Sequence, residues 1–161
     1  MVLVWGLGFG GVMKKYVVFA TLAIAALQQP VSTGIAAECY SAAALEAEQG
    51  VRFLIDVMVA STACRDQTYG MFQQRNKNTV LSYQKAMIAH LHGNAAYDRW
   101  DTALANDAAL KQAGKSGPQA CQESAELLKK AAIMDDKAFH EYAASLATSA
   151  AATGHYPKCG R

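Results

Sequence analysis

Four cysteines carry the most explicit chemistry in this sequence: Cys39, Cys64, Cys121 and Cys159. Thiolates at close spacing would hold zinc, whereas an even number of cysteines in an exported domain pairs as disulfides. Consecutive cysteines lie 25, 57 and 38 positions apart, with no C-x-x-C pair. A structural zinc site is built on such pairs, so two disulfides are the expected chemistry.

Histidine and carboxylate chemistry is sparser. His90 and His92 stand at i, i+2, which a helix turns to different faces, while metal ligands on one helix want i, i+3 or i+4. Near a helix end they serve the C-terminal dipole instead. His140, with Glu141 beside it and Lys137 one turn before, reads as solvated helix surface, and His155 sits beside Tyr156. Asp56 lies in an apolar stretch where burial would make a carboxylate an acid–base group. The simpler reading pairs it with Arg52, one turn earlier on a charged stripe of Glu48, Arg52 and Asp56. Met58, Met71 and Met87 could bind a soft metal but at helical spacing read as core filler.

The cluster Gly114-Lys115-Ser116-Gly117 has two features of a phosphate loop but lacks the G-x-x-x-x-G-K-[ST] pattern and a preceding strand. A capped turn between helices explains it. The sequence has no H-E-x-x-H, C-x-x-C-H or nucleophile-elbow motif. No catalytic residue, metal ligand or cofactor-binding residue is therefore expected.

Helices must position whatever these residues do. The first expected helix covers roughly Ser41 to Ala63, where only Gly50 interrupts good helix formers. Apart from its charged stripe it is apolar almost all round, which predicts a central helix. A second runs from about Gln67 to Leu91, with Tyr69, Phe72, Val80, Tyr83, Met87 and Leu91 at three- and four-residue steps, allowing for Asn76 in the gap. Gly93-Asn94 ends it. A third runs from about Ala95 to Ala113. A fourth begins at Ser116 or Gly117, with Pro118 in its first turn. Asp135-Asp136 marks a restart or kink, and a fifth helix continues to about Ala152. The aromatic set Tyr69, Phe72, Tyr83, Tyr97, Trp100, Phe139 and Tyr142 is expected to be mostly core, with a few tyrosines free to edge a groove. The expected fold is all-α: a compact bundle of four to five helices, stapled by two disulfides.

Geometry restricts the pairing. Cys39 and Cys64 flank a helix about 30 Å long, and a disulfide needs Cα atoms within about 7 Å. Of the two connectivities left, Cys64–Cys121 is preferred, because both lie at the pole where the first helix ends and the fourth begins. Cys39–Cys159 then ties the remaining pair. It closes more easily if the fourth and fifth helices run on as one kinked rod.

The beginning of the chain reads as a targeting segment. Lys14 and Lys15 form a basic n-region, Tyr16 to Leu27 is an apolar h-region, and Ile35-Ala36-Ala37 offers small residues for cleavage. Residues 1–37 are expected to be a signal peptide, with translation starting at Met1 or Met13, and 38–161 a single helical domain. The apolar run is short for a span of about 20 residues, so no permanent membrane anchor is expected after cleavage. The whole chain has 15 basic and 13 acidic residues, and Lys14 and Lys15 leave with the signal. The remaining domain is formally neutral, without the basic excess that nucleic-acid binding needs. The expected location is periplasmic or secreted.

The segment Met58-Val-Ala-Ser-Thr-Ala-Cys64-Arg65-Asp66-Gln67, with Tyr69, Phe72 and later Trp100-Asp-Thr-Ala-Leu-Ala-Asn106-Asp107, resembles a loose group of small exported bacterial proteins without an established function. The similar region covers roughly Cys39 to Cys121 and implies a helical, cysteine-bearing, exported protein. Some members carry an adenosylhomocysteine hydrolase label. That activity rests on a dinucleotide-binding βαβ fold, for which this chain has neither length nor motif, and the resemblance carries over no catalytic residue.

These readings lead first to a non-enzymatic protein that binds another protein, as an accessory subunit of a periplasmic or membrane-bound complex. The alternatives are a small-ligand or metal carrier with a cavity between helices, and an enzyme whose residues cluster only in three dimensions. The cysteine reading has a direct check. Intact mass with thiol alkylation should find no free thiol in the unreduced exported protein and four after reduction. Two or more free thiols before reduction would overturn it.

Overall fold

A run of residues 42–64 without a proline, begun by Ser41, gives the longest helix. A computed structural model describes residues 39–157 and 159. In it α1 spans Ala42–Cys64, and the Ser41 hydroxyl accepts from the Ala44 N–H at 3.1 Å. The signal peptide expected over 1–37, with its cleavage point and alternative start, lies outside the described residues.

Five more helices follow: α2 Thr68–Arg75, α3 Lys77–His90, α4 Asn94–Leu110, α5 Gly117–Ile133 and α6 Asp136–Ala152. No strand occurs among the described residues. The all-α expectation holds, but the count of four to five becomes six. The reason is Asn76. The expected helix from Gln67 to Leu91 is broken there, because Asn76 is fully buried and its side-chain amide donates to two carbonyls, Phe72 at 3.0 Å and Met134 at 3.2 Å. A buried amide that can bond backbone competes with the helical ladder. The second carbonyl belongs to the other break, between α5 and α6. There Met134 is extended, and the Asp135 carboxylate accepts from the Ala138 N–H to start α6. Arg75 reinforces the joint by donating to the Ala132 carbonyl at 2.6 Å.

Helix α1 contacts all five others, the central position its apolar circumference predicts. Named contacts fix the directions. Helix α2 starts at the Cys64 pole, where the Tyr69 N–H donates to the Ser61 hydroxyl. The α3 end reaches the Cys39 pole, where His90 stacks on Tyr40 with ring centroids 4.3 Å apart. Together α2 and α3 run antiparallel to α1. Helix α5 starts at the Cys64 pole through the Cys64–Cys121 disulfide, and the chain after α6 returns to Cys39 through Cys39–Cys159. These are the two expected pairings, with Cα atoms 4.8 and 4.6 Å apart. The fourth and fifth expected helices do run on in one direction as a broken rod.

The centre is aromatic. Phe53 packs on Phe72, Phe139 and Tyr142, with centroids 5.1–5.8 Å apart. Phe72 and Phe139 meet edge to face at 4.9 Å, and both are fully buried. Such pairs add about 0.5–1.5 kcal/mol each beyond burial. Met87 is core and Met58 packs on it, while Met71 is 48% exposed and lies outside the core.

Replacing Asn76 by Ala leaves the Met134 carbonyl without its amide partner. Urea denaturation should show a loss of about 1–3 kcal/mol. Asn78→Ala, on the exposed face of α3, should stay within about 0.5 kcal/mol. Equal, small effects would remove Asn76 from its role at the joint.

Candidate functional site

Small residues recur on facing sides of α1 and α6. Ala42 and Leu45 of α1 oppose Ala144, Ala147 and Ala151 of α6, all at three- and four-residue steps. Short side chains leave the space between two antiparallel helices unfilled. The result is a groove of about 790 Å³ at the Cys39 pole. Tyr40, Tyr156 and Cys159 form its wall beyond the helix ends. That wall is held by the Cys39–Cys159 bond and by backbone pairing, in which the Tyr40 N–H donates to the Pro157 carbonyl at 2.7 Å. The two rings of the wall, Tyr40 and Tyr156, meet edge to face with centroids 5.1 Å apart.

One edge of the groove is polar. Glu46 Oε1 accepts from the Tyr83 hydroxyl at 2.7 Å and lies 2.7 Å from His140 Nδ1. Tyr83 Oη also lies 3.3 Å from His140 Nδ1, so carboxylate, phenol and imidazole form one contact set. Three helices meet here, α1, α3 and α6. Gly50 permits the meeting: a Cβ on it would stand 2.3 Å from the Tyr83 ring, so only glycine lets that ring lie against α1. Burial, and then the bond to Glu46, push the Tyr83 hydroxyl well above the ordinary phenol range. It stays a neutral donor.

Beneath the wall lies a second carboxylate. Glu48 is 1% exposed. Its Oε1 accepts from Arg52 Nε at 2.7 Å, forms an ion pair with Arg52 Nη2 at 2.6 Å, and accepts from the Tyr156 hydroxyl at 3.2 Å. Burial first, and the neighbouring Glu48 second, raise the Tyr40 hydroxyl far above its usual value. Glu48 Oε2 is buried without a hydrogen-bond partner.

The expected Arg52–Asp56 pairing is thus replaced by Arg52–Glu48. Asp56 instead faces α4, near Asp107 and Lys111. Burial raises its pKa, with Lys111 and then Arg52 opposing. His90 lies in the last turn of α3, at the helix end expected of it, and its ring also packs on Tyr40. His92 follows that helix in a left-handed conformation (φ 58°). Lys137 pairs with Glu141 at 3.7 Å, but His140 reaches across to Glu46 rather than standing in solvent alone. The glycine cluster is the capped turn expected of it: the Ser116 hydroxyl accepts from the Gln119 N–H, and Gly114 has φ 83°. Asp56, His90 and His140 therefore sit in three separate sets of contacts. No group of three or more His, Cys, Asp or Glu residues among the described residues could hold a metal ion.

Sequence reasoning passed over Glu46, Tyr40 and Tyr156. Nothing local marks them. Glu46 is two positions before Glu48 on a helix with ordinary acidic content, and the tyrosines lie at opposite ends of the domain. Comparison of the chain with protein-family models, curated proteins and solved structures gives no match.

The phenols offer a check on this arrangement. Burial, then Asp101, also pushes Tyr97 up to about 12. A phenol whose folded pKa is raised stabilises the fold fully below its unfolded value of about 10. That contribution is lost as pH rises through the folded value. Absorbance titration should show phenols that ionise late, Tyr40, Tyr83 and Tyr97 among them, and stability falling above about pH 10. Tyr83→Phe should remove one late phenol. Uniform titration near pH 10 in the folded protein would contradict the buried hydroxyls.

Proposed function

We propose that this protein is an exported binding protein that holds a small, mostly apolar molecule in the α1–α6 groove. The groove itself carries the reading. Its volume falls within the range of about 300–1,000 Å³ usual for ligand sites, and such sites combine apolar walls with a few fixed polar groups. Here the walls are alanine, leucine and tyrosine, and the fixed group is Glu46 with its two partners.

Export is supported by two disulfides, which persist in oxidising compartments. No helix among the described residues is long and apolar enough to cross a membrane. The accessory-subunit reading calls for a contiguous exposed apolar patch. The large apolar side chains that are exposed, Met71, Leu81, Leu110 and Ile133, belong to four different helices. The enzyme reading needs Asp56, His90, His92 and His140 to cluster, and the contacts of Asp56, His90 and His140 described above have no partner in common.

N-phenyl-1-naphthylamine, a neutral apolar dye that brightens out of water, tests the groove. The mature domain should bind it saturably at one site. Ala151→Trp fills the groove from α6 and should weaken binding at least tenfold, while Ile133→Trp, at the exposed end of α5, should not. Equal dye binding in wild type and Ala151→Trp, or none in wild type, sinks the reading.

A further inference from the structure

We infer that the groove selects a ligand carrying a cationic amine on an apolar body, with the ammonium set against Glu46. This rests on the ligand reading above and adds the chemistry of the head group. Glu46 is the one charged side chain among the described residues lining the groove; the other polar residues there are Tyr40, Ser41, Thr148 and Tyr156. Its side chain is only 20% exposed, so its charge is poorly screened and acts strongly on whatever enters.

The carboxylate is preset for this task. The Tyr83 and His140 contacts both fall on Oε1, and Oε2 takes part in neither. Those contacts fix the rotamer, so a ligand ammonium meets an ordered oxygen and pays little to immobilise it. The far rim strengthens the same sign. The last turn of α6, with Ala151 and Ala152 in the groove wall, contains no basic residue to offset its carbonyl dipoles. The opposing partial charge at the start of α1 is partly answered by the Ser41 cap. A ligand carboxylate would face Glu46 across apolar walls, with no lysine or arginine among the described lining residues to receive it.

Displacement of N-phenyl-1-naphthylamine from the mature domain by decylamine, decanoate and decanol reads the head-group preference. The titrations are run at pH 8, where free imidazole is neutral and the amine is charged. Decylamine should displace the dye at least tenfold more effectively than decanoate. Glu46→Gln keeps an acceptor for Tyr83 and His140 but loses the charge, and it should bring the amine and the carboxylate within twofold of each other. Near-UV circular dichroism confirms that the variant is folded. If all three compounds displace the dye equally in wild type, or if the amine preference survives Glu46→Gln, the inference is wrong while the groove reading stands. If none displaces it, the groove reading falls and this inference with it.

Discussion

Helix α1 is longer than anything that can pack beside it as a single helix. At 23 residues it measures about 34 Å, against about 25 Å for α5 or α6 at 17 residues each. An apolar circumference of that length has to be covered end to end, and the chain does so twice with two helices in series. Both pairs break at the same level, where Asn76 and Arg75 bond the carbonyls around Met134. That joint sets where α3 and α6 begin. It therefore sets which of their residues face the first turns of α1, including Tyr83 and His140 beside Glu46.

The groove follows from the same placement. Helix α6 meets the N-terminal part of α1 with alanines on both sides, and the space they leave is bounded by the wall of Tyr40 and Tyr156. Close approach on the opposite flank, where Tyr83 lies on Gly50, brings a third helix to the polar edge. Burial and emptiness thus come from one device, the choice of very small side chains. On one flank they let a ring lie flat on the helix, and on the other they leave room unfilled.

Helical periodicity, caps and the apolar circumference of α1 made the fold class and the central helix legible in the sequence. The length of α1 by itself also excludes one disulfide pairing, Cys39 with Cys64. The break at Asn76 was harder to read, because the apolar spacing resumes beyond it and the residue that breaks the helix does so by bonding a carbonyl 58 positions away. The Glu48–Arg52–Asp56 stripe misled for a related reason. A local i, i+4 rule allows Arg52 either neighbour, whereas the structure pairs it with Glu48, a buried carboxylate that also accepts from Tyr156, 108 positions away. The groove itself has no local signal. Alanine at helical spacing is the same pattern whether the partner helix fills the space or leaves it open.

The Cys39–Cys159 bond has a further consequence. It closes a loop of 120 positions at the pole where the first and last described residues meet. All six helices lie inside that loop. Tension applied between residues 39 and 159 would run through the disulfide and bypass every helix. The bundle is thus mechanically shielded along its own ends. A nick in the turn around Gly114 would likewise leave both pieces covalently joined.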